Sequence, residues 1–248
     1  MPSKIPPSPL RAILALVLPL TLGQADAAQS VELVETASTG NSASVDRPAI
    51  RPRHLVIFLH GHRGTGSVMA TIGRSWQSDL VDTVFVAPDA PLRHRSGGRE
   101  WFAVDDQVLR PERIQAARRA FDSSIREIVK DQGFENDLAN VAFVGVSQGA
   151  IMALDAVASG RWQVGALVSF AGLLPLPPSA GSGNRTVVLL MHGSADRTIP
   201  SEASISAASE LEAAGFDVSL NIVQGVGHTI SPEEAKTALQ FLARTFGS

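Results

Sequence analysis

The sequence predicts an α/β fold with a doubly wound, mostly parallel sheet of about six or seven strands. Three observations lead to this prediction. Short apolar runs that suit strands alternate with longer amphipathic stretches that suit helices. The first run, 55–59, is apolar throughout, as expected of a strand that is buried on both faces of a sheet. Glycine and proline punctuate the boundaries between the two kinds of segment.

The first half of the predicted domain contains two strands and two helices. Strand 55–59 is followed by a helix over 67–80 and by a strand over 83–87. The second helix begins at Pro111, because proline is tolerated in the first turn, where its missing N–H has no partner to lose. Apolar residues recur every three or four positions from there to about Gly133, which gives this helix one buried face.

The second half repeats the alternation. Strand 141–146 leads through a glycine-flanked turn into a helix over 148–158, and Gly215 ends a helix over 201–214. The remaining predicted segments are strands 166–170, 187–191 and 218–223 and a last helix over 232–246. A short alternating stretch, 31–36, is a further candidate for an edge strand.

Composition narrows the class of protein. The chain has 248 residues, 44% of them apolar, which suits one globular domain with a sizeable core. Its net charge of −3 favours neither nucleic acid nor an anionic membrane surface as a partner. The absence of cysteine excludes disulfides, thiolate metal sites and a cysteine nucleophile. We find no convincing metal-ligand spacing and expect no metal or other cofactor.

The N-terminus has the pattern of a secretory signal. Lys4 and Arg11 supply positive charge, 12–22 is apolar, and 25–27 reads Ala-Asp-Ala, a small-x-small cleavage site. We therefore expect a signal peptide over 1–27, a flexible segment over 28–53 and the folded domain over 54–248. The protein would then be exported to the periplasm or the exterior. An uncleaved anchor or a disordered tail are the alternatives.

The most informative motif is Gly-Val-Ser-Gln-Gly at 145–149, between a predicted strand and a predicted helix. A Gly-x-Ser-x-Gly turn at such a junction is a nucleophile elbow, in which the serine projects from the end of the sheet. The flanking glycines are needed because the tight turn leaves little room for a Cβ. Ser147 is therefore the candidate nucleophile, and the backbone N–H of Gln148, the next residue, is a candidate oxyanion donor.

A serine hydroxyl needs a base, and the base needs an acid to orient it. Asp196 and His228 follow the strands 187–191 and 218–223, so both are expected at the same edge of the sheet as Ser147. The order Ser, Asp, His is the order of α/β-hydrolases. Two alternatives remain at this stage: Asp196 could merely cap the following helix, and Asp89 could be the acid instead.

Several further segments strengthen the interpretation. They are Phe58-Leu59-His60-Gly61, Ala87-Pro88-Asp89-Ala90-Pro91, Glu100-Trp101-Phe102, Gly145 to Ala150, Phe170-Ala171-Gly172-Leu173-Leu174-Pro175, His192-Gly193-Ser194-Ala195-Asp196 and Gly227-His228. From 54 to 246 the chain resembles the carboxylesterase, lysophospholipase and acyl-protein thioesterase family of α/β-hydrolases. It departs from the family pattern at His62, where an apolar residue is usual.

The resemblance implies the α/β-hydrolase fold and hydrolysis of carboxylic (thio)esters through an acyl-enzyme. It places the second oxyanion donor on the backbone N–H of His62. Trp101, Phe102 and Leu173 are candidates for the substrate pocket, although Trp101 and Phe102 could equally be core residues. No separate lid domain is evident, which favours an open pocket and soluble esters with short to medium acyl chains.

Other functions fit the same residues. A secreted polyester depolymerase or feruloyl-type esterase would use the same fold and triad. A lysophospholipase and a cofactor-free haloperoxidase are less favoured, and a non-enzymatic binding module would have no need of all three triad residues. We expect neither a nucleic acid partner nor a stable membrane anchor.

Overall fold

Six parallel strands form the central sheet of the structure, a computed structural model that describes residues 52–104, 110–179, 181 and 185–247. The elements in chain order are β1 (His54–Leu59), α1 (Gly66–Trp76), β2 (Thr83–Val86), β3 (Leu92–Arg93), β4 (Arg99–Glu100), α2 (Pro111–Asp131), β5 (Val141–Val146), α3 (Gln148–Ala158), β6 (Ala166–Phe170), β7 (Val187–Gly193), α4 (Glu202–Ala213), β8 (Asp217–Val223) and α5 (Pro232–Phe246). The predicted fold class is confirmed. The signal segment 1–27, the edge strand 31–36 and all but the last two residues of the flexible segment 28–53 lie outside the described residues.

The strand order determines where a site can form. The sheet runs β2-β1-β5-β6-β7-β8, so the chain moves outward from β1 to β2 and then returns to the other side of β1 at β5. Open parallel sheets bind ligands at such a reversal, outside the carboxyl ends of the strands. The loop after β1 and the turn after β5 meet at this point.

Alternation along the strands builds a core layer on each face of the sheet. In β1, Leu55, Ile57 and Leu59 contribute to one layer, and Val56 and Phe58 contribute to the other. Helices α2, α3 and α4 pack on the first face, whereas α1 and α5 pack on the second. All eleven residues of α3 are buried, so the helix that follows Ser147 is held firmly in place.

The structure differs from the predicted elements in two places. Helix α1 ends at Trp76, where the chain turns, and is therefore shorter than predicted. The prediction ran on to residue 80 because Leu80 also packs into the core and so continues the apolar pattern. The short antiparallel pair β3–β4 was not predicted, since two-residue strands leave no periodicity to detect. His54, the first residue of β1, is buried and stacks on Phe246 with ring centroids 4.2 Å apart. No helix of the described ranges is long and apolar enough to cross a bilayer.

Candidate active site

Ser147 occupies the sharp turn between β5 and α3 and has a backbone conformation that is unusual for a non-glycine residue. Its φ is 51° and its ψ is −118°. Neither flanking glycine could carry a side chain. A Cβ at Gly145 would lie 2.6 Å from the backbone N of Ala150, and one at Gly149 would lie 2.2 Å from the backbone O of Leu59. The steric argument for Gly-x-Ser-x-Gly is therefore confirmed, and α3 directs its N-terminal N–H groups towards this turn.

The three residues predicted as a triad are brought together from three different loops. His228 Nε2 lies 2.9 Å from Ser147 Oγ, and His228 Nδ1 lies 2.7 Å from Asp196 Oδ2. A carboxylate can only accept, so Nδ1 carries the proton that it donates to Asp196, and Nε2 is left to accept from the serine hydroxyl. This is the arrangement in which an imidazole can act as a general base.

Asp196 is buried and held by several donors. Its Oδ1 accepts from the backbone N–H groups of Thr198 (2.7 Å) and Ile199 (3.0 Å). Burial alone would raise the pKa of Asp196, but the hydrogen bonds from His192 and His228 hold it well below the ordinary value for aspartate. The carboxylate is therefore ionised at neutral pH.

Helix capping does not explain Asp196. Helix α4 begins at Glu202 and its N-cap position is Ser201, five residues beyond Asp196. The capping alternative is therefore contradicted by where the helix starts.

His192 is a second histidine on the same carboxylate. Its Nε2 lies 3.1 Å from Asp196 Oδ2 and 2.8 Å from the backbone O of Ile199, so Nε2 carries the proton and donates to both. Its Nδ1 then accepts from the hydroxyl of Ser204 at 2.7 Å. The ring is fully buried and fixes the orientation of Asp196. No local pattern in the sequence indicates this contact.

The loop after β1 lies directly beside Ser147. A Cβ built on Gly61 would be 3.4 Å from the Cβ of Ser147. The side chain of His60 holds this loop in place. Its Nδ1 donates to the backbone O of Gly61 at 2.7 Å, and its Nε2 accepts from the backbone N–H of Ala90 at 2.9 Å. Within the described part of the chain, the backbone N–H groups of His62 and Gln148 have no protein acceptor. Both are thus free to bind a ligand oxygen.

The side chain of Gln148 points away from the reacting atoms. Its Oε1 accepts from the backbone N–H of Trp101 at 2.7 Å, and its Nε2 donates to the backbone O of Phe102 at 2.7 Å. Trp101 in turn donates its indole N–H to the backbone O of His60 at 2.9 Å. One network therefore links the turn after β5, the strand β4 region and the loop after β1.

The three pocket candidates lie in the core. Trp101, Phe102 and Leu173 are all buried in the layer that α2, α3 and α4 cover. Trp101 packs edge-on against Phe121 with centroids 5.5 Å apart. Trp101 and Phe102 could have been pocket or core residues, and the geometry favours the core. Their backbone atoms position the side chain of Gln148.

Asp89 has a structural role of its own. Its Oδ1 accepts from the backbone N–H of Gly66, the first residue of α1, at 2.8 Å, and its Oδ2 lies 3.7 Å from Arg99 Nε. Of the described carboxylates, Asp196 is the one that hydrogen-bonds to His228.

A group of polar side chains that sequence reasoning missed lies next to the loop after β1. His62 Nδ1 is 3.6 Å from Glu100 Oε2, and the ring of His94 lies edge-on to that of His62 with centroids 4.9 Å apart. Burial, with the neighbouring His94 and Arg63, lowers the pKa of His62 to about 4, so its imidazole is neutral at pH 7. No local spacing signals this group, because its members come from separate segments.

Comparisons with known proteins identify the family of the chain. The profile of the phospholipase/carboxylesterase family matches residues 40–246. The chain is 30% identical to esterase YpfH of Escherichia coli strain K12 over 206 residues, which is 82% of this chain and 86% of that protein. It is 26% identical over 212 residues to acyl-protein thioesterase 1 of Gibberella zeae, which is 76% of this chain and 89% of that protein.

Solved structures give the same result. The crystal structure of esterase PE8 superposes with a TM-score of 0.72 at 32% identity and covers 80% of this chain and 96% of its own. The Bacillus cereus carboxylesterase superposes with a TM-score of 0.68, but at 17% identity it supports the fold alone. The chain therefore belongs to the phospholipase/carboxylesterase family, a family of carboxylic ester hydrolases with the α/β-hydrolase fold.

Proposed function

We propose that the protein is an exported serine carboxylesterase in which Ser147, His228 and Asp196 form the catalytic triad. The observation that carries the proposal is the position of His228, which hydrogen-bonds through one nitrogen to Ser147 Oγ and through the other to Asp196. The substrate is a small-molecule ester of a carboxylic acid. No nucleic acid, membrane anchor or cofactor is part of the proposal.

The mechanism follows from these contacts. His228 Nε2 takes the proton of Ser147 as the hydroxyl attacks the ester carbonyl, and Asp196 stabilises the imidazolium that forms. The backbone N–H groups of His62 and Gln148 bind the oxyanion of the tetrahedral intermediate. His228 then returns the proton to the leaving alcohol, and water cleaves the acyl-enzyme by the same route.

Replacement of Ser147 is the direct test of the nucleophile. Ser147→Ala should lower kcat by at least about 10⁴-fold on p-nitrophenyl acetate, because triad members act as a unit. A fluorophosphonate probe should label the parent at Ser147 and leave the variant unlabelled. Ser194→Ala, which changes a serine in the loop after β7, is the matched control and should retain both turnover and labelling. Labelling of the Ser147→Ala variant would disprove the assignment.

The preference between oxygen esters and thioesters is a separate question, since relatives of both names exist. We propose oxygen esters, because an exported enzyme does not meet the S-acylated proteins of the cytosol. Matched substrates with the same acyl chain on an oxygen or a sulfur leaving group test this. A kcat/KM that is at least tenfold higher for the thioester series would contradict the proposal. Varying the acyl chain in the same panel tests the expected preference for short and medium chains.

Export is proposed from the sequence of residues 1–27, in which positive charge, an apolar stretch and Ala25-Asp26-Ala27 occur in the order of a signal peptide. Residues 1–30 fused to a periplasmic reporter should direct its secretion, and the mature native protein should begin near Ala28. Replacement of the apolar stretch 12–22 by a polar sequence of equal length should abolish export. A native protein that begins at Met1 would contradict the proposal.

A further inference from the structure

His62, His94 and Glu100 form a cluster that neither the fold nor the ester chemistry requires. His62 lies in the loop after β1, His94 in the turn between β3 and β4, and Glu100 on β4. One nitrogen or carboxylate oxygen of each residue lies within 4.8 Å of those of the other two. Three segments of the chain thus converge on a small volume beside the carboxyl end of β1.

The separation of His62 from Glu100 suits two ligands of one ion. The 3.6 Å between His62 Nδ1 and Glu100 Oε2 is too long for a hydrogen bond. Two atoms that each lie about 2.1 Å from a tetrahedrally coordinated ion are about 3.4 Å apart. The observed distance is therefore close to that between two ligands of a zinc ion.

Neither of these atoms has a protein partner. His62 Nδ1 and Glu100 Oε2 are both buried and accept or donate no hydrogen bond within the described residues. The side chain of Glu100 is only 10% exposed and that of His62 only 14%. Buried polar atoms without a partner are costly, so a bound species that satisfies both would stabilise this region.

We propose that His62, His94 and Glu100 bind a divalent transition-metal ion of the zinc class. Two imidazoles and one carboxylate are a ligand set that zinc accepts, with a fourth position open to water. Magnesium and calcium prefer all-oxygen ligands, so imidazole argues against them. The bound ion would fasten the β3–β4 hairpin to the loop after β1.

His94 is the adjustable ligand. Its Nδ1 accepts from the backbone N–H of Ser96 at 3.0 Å, which leaves the ring proton on Nε2. Coordination through Nδ1 uses the lone pair that accepts from Ser96, and coordination through Nε2 moves the ring proton to Nδ1. In either case the hydrogen bond is lost, and the exposed N–H of Ser96 is then solvated by water. His94 is half-buried in an exposed turn, so its ring can make this change without disturbing the core.

Calorimetric titration of zinc chloride into the full chain, purified without a histidine tag and treated with EDTA, tests the proposal. We expect one ion per chain and a higher melting temperature with zinc. His94→Ala should weaken binding at least about 100-fold, because even residues that only support a ligand change metal affinity by about 10–100-fold. Its esterase activity without zinc should equal that of the parent. Arg95→Ala, in the same turn, is the control and should bind zinc normally.

The triad also offers imidazole and carboxylate atoms, so His228→Ala separates the two sites. Zinc binding that survives His228→Ala and is lost in His94→Ala supports the proposal, whereas the opposite pattern overturns it. Absence of binding to the parent also overturns it. Cobalt(II) gives a second readout: its visible absorption on binding the parent should be lost in Glu100→Gln. Because binding is measured without substrate, the result does not depend on the role of Ser147.

Discussion

The side-chain carbonyl of Gln148 accepts the backbone N–H of Trp101 at 2.7 Å. Gln148 Nε2 also donates to the backbone O of Phe102. The two hydrogen bonds together fix the position of Gln148, which directly follows Ser147. The backbone N–H of Gln148 is one of the two proposed oxyanion donors. Its position is therefore controlled by the side chain of the same residue, through a segment nearly fifty positions earlier in the chain.

Gln148→Ala should affect both catalysis and stability. Loss of one oxyanion donor costs about 10²–10³ in kcat, and here the donor remains but is less well positioned, so we expect a loss of about tenfold. The backbone groups of Trp101 and Phe102 would lose buried partners, at about 1–3 kcal/mol each in the free energy of unfolding. Steady-state kinetics and urea unfolding measure the two effects.

Gln148→Glu is a second test of this prediction. A carboxylate can still accept from Trp101 but cannot donate to Phe102 while it is ionised. Because an ionised carboxylate buried against the backbone O of Phe102 is costly, we expect this variant to lose at least as much stability as the alanine variant. A variant that loses stability but keeps the parental kcat would show that the contact serves the fold alone.

Asp196→Asn tests the acid of the triad. The amide oxygen can still accept from Thr198 and Ile199, but an amide NH₂ that faces His228 forces the ring into the tautomer that cannot accept from Ser147. We expect a loss of about 10⁴ in kcat, as for the same substitution in the triad of a serine protease. The melting temperature should change little by comparison.

Asp89→Asn provides the matched control, because asparagine keeps the hydrogen bond to Gly66 and removes the same charge. It should retain near-parental turnover. If Asp89→Asn loses activity while Asp196→Asn retains it, Asp89 is the acid and the assignment here is wrong.

The parts of the structure that could be predicted from sequence are those with a local signature. Strand β5 and helix α3 have the predicted bounds, because an apolar run and a run of helix formers meet at a turn that only glycine permits. The loops with Ser147, Asp196 and His228 were predicted to share one edge, because parallel strands place their carboxyl ends together. These predictions needed only strand assignments and chain order.

Long-range contacts had no such signature. The pairing of Gln148 with Trp101, and the shared use of Asp196 by His192 and His228, depend on side-chain directions that periodicity does not specify. The cluster of His62 and Glu100 depends on the β3–β4 pair, whose strands are too short to predict. The role of Trp101 could not be predicted for the same reason. Its large side chain suited a pocket and a core equally well, and only its contacts in the structure show that it belongs to the core.

Asp155 should be important for stability and not for catalysis. It is buried in α3 and accepts from Arg118 Nε (2.9 Å) and Nη2 (2.7 Å) and from Arg161 Nη1 (3.0 Å). Asp155→Asn removes the carboxylate that pairs with Arg118, whereas Arg161 keeps its ion pair with Asp122 at 3.1 Å. Removal of one partner of a buried pair costs about 3–5 kcal/mol, and we expect the lower end because both arginines are partly exposed.

Urea unfolding measures this loss, and kcat of the folded variant should equal that of the parent. Arg126→Ala is the control, because Arg126 is largely exposed and lies 3.9 Å from Asp122, so its removal should cost less than about 1 kcal/mol. Equal losses for the two variants would show that the buried network contributes no more than a surface pair.

His54 should make the fold less stable in mild acid. Burial, and secondarily the charge of Arg53, lowers the pKa of His54 from its ordinary 6.5. Below pH 6.5 the unfolded chain therefore binds a proton that the folded chain does not, and stability falls as the pH falls. One such proton changes the free energy of unfolding by at most about 1.4 kcal/mol per pH unit.

His54→Phe isolates this contribution, since phenylalanine can keep the stacking on Phe246 and does not titrate. Other groups shift in both directions: the pKa of His60 is lowered like that of His54, whereas those of Glu100 and Glu210 are raised, which favours the folded state in acid. These groups are present in both proteins, so their effects cancel in the difference between variant and parent. Urea unfolding from pH 7.5 to 5.5 should therefore give a variant that loses less stability than the parent below pH 6.5. Parallel curves would mean that His54 titrates alike in the folded and unfolded chain.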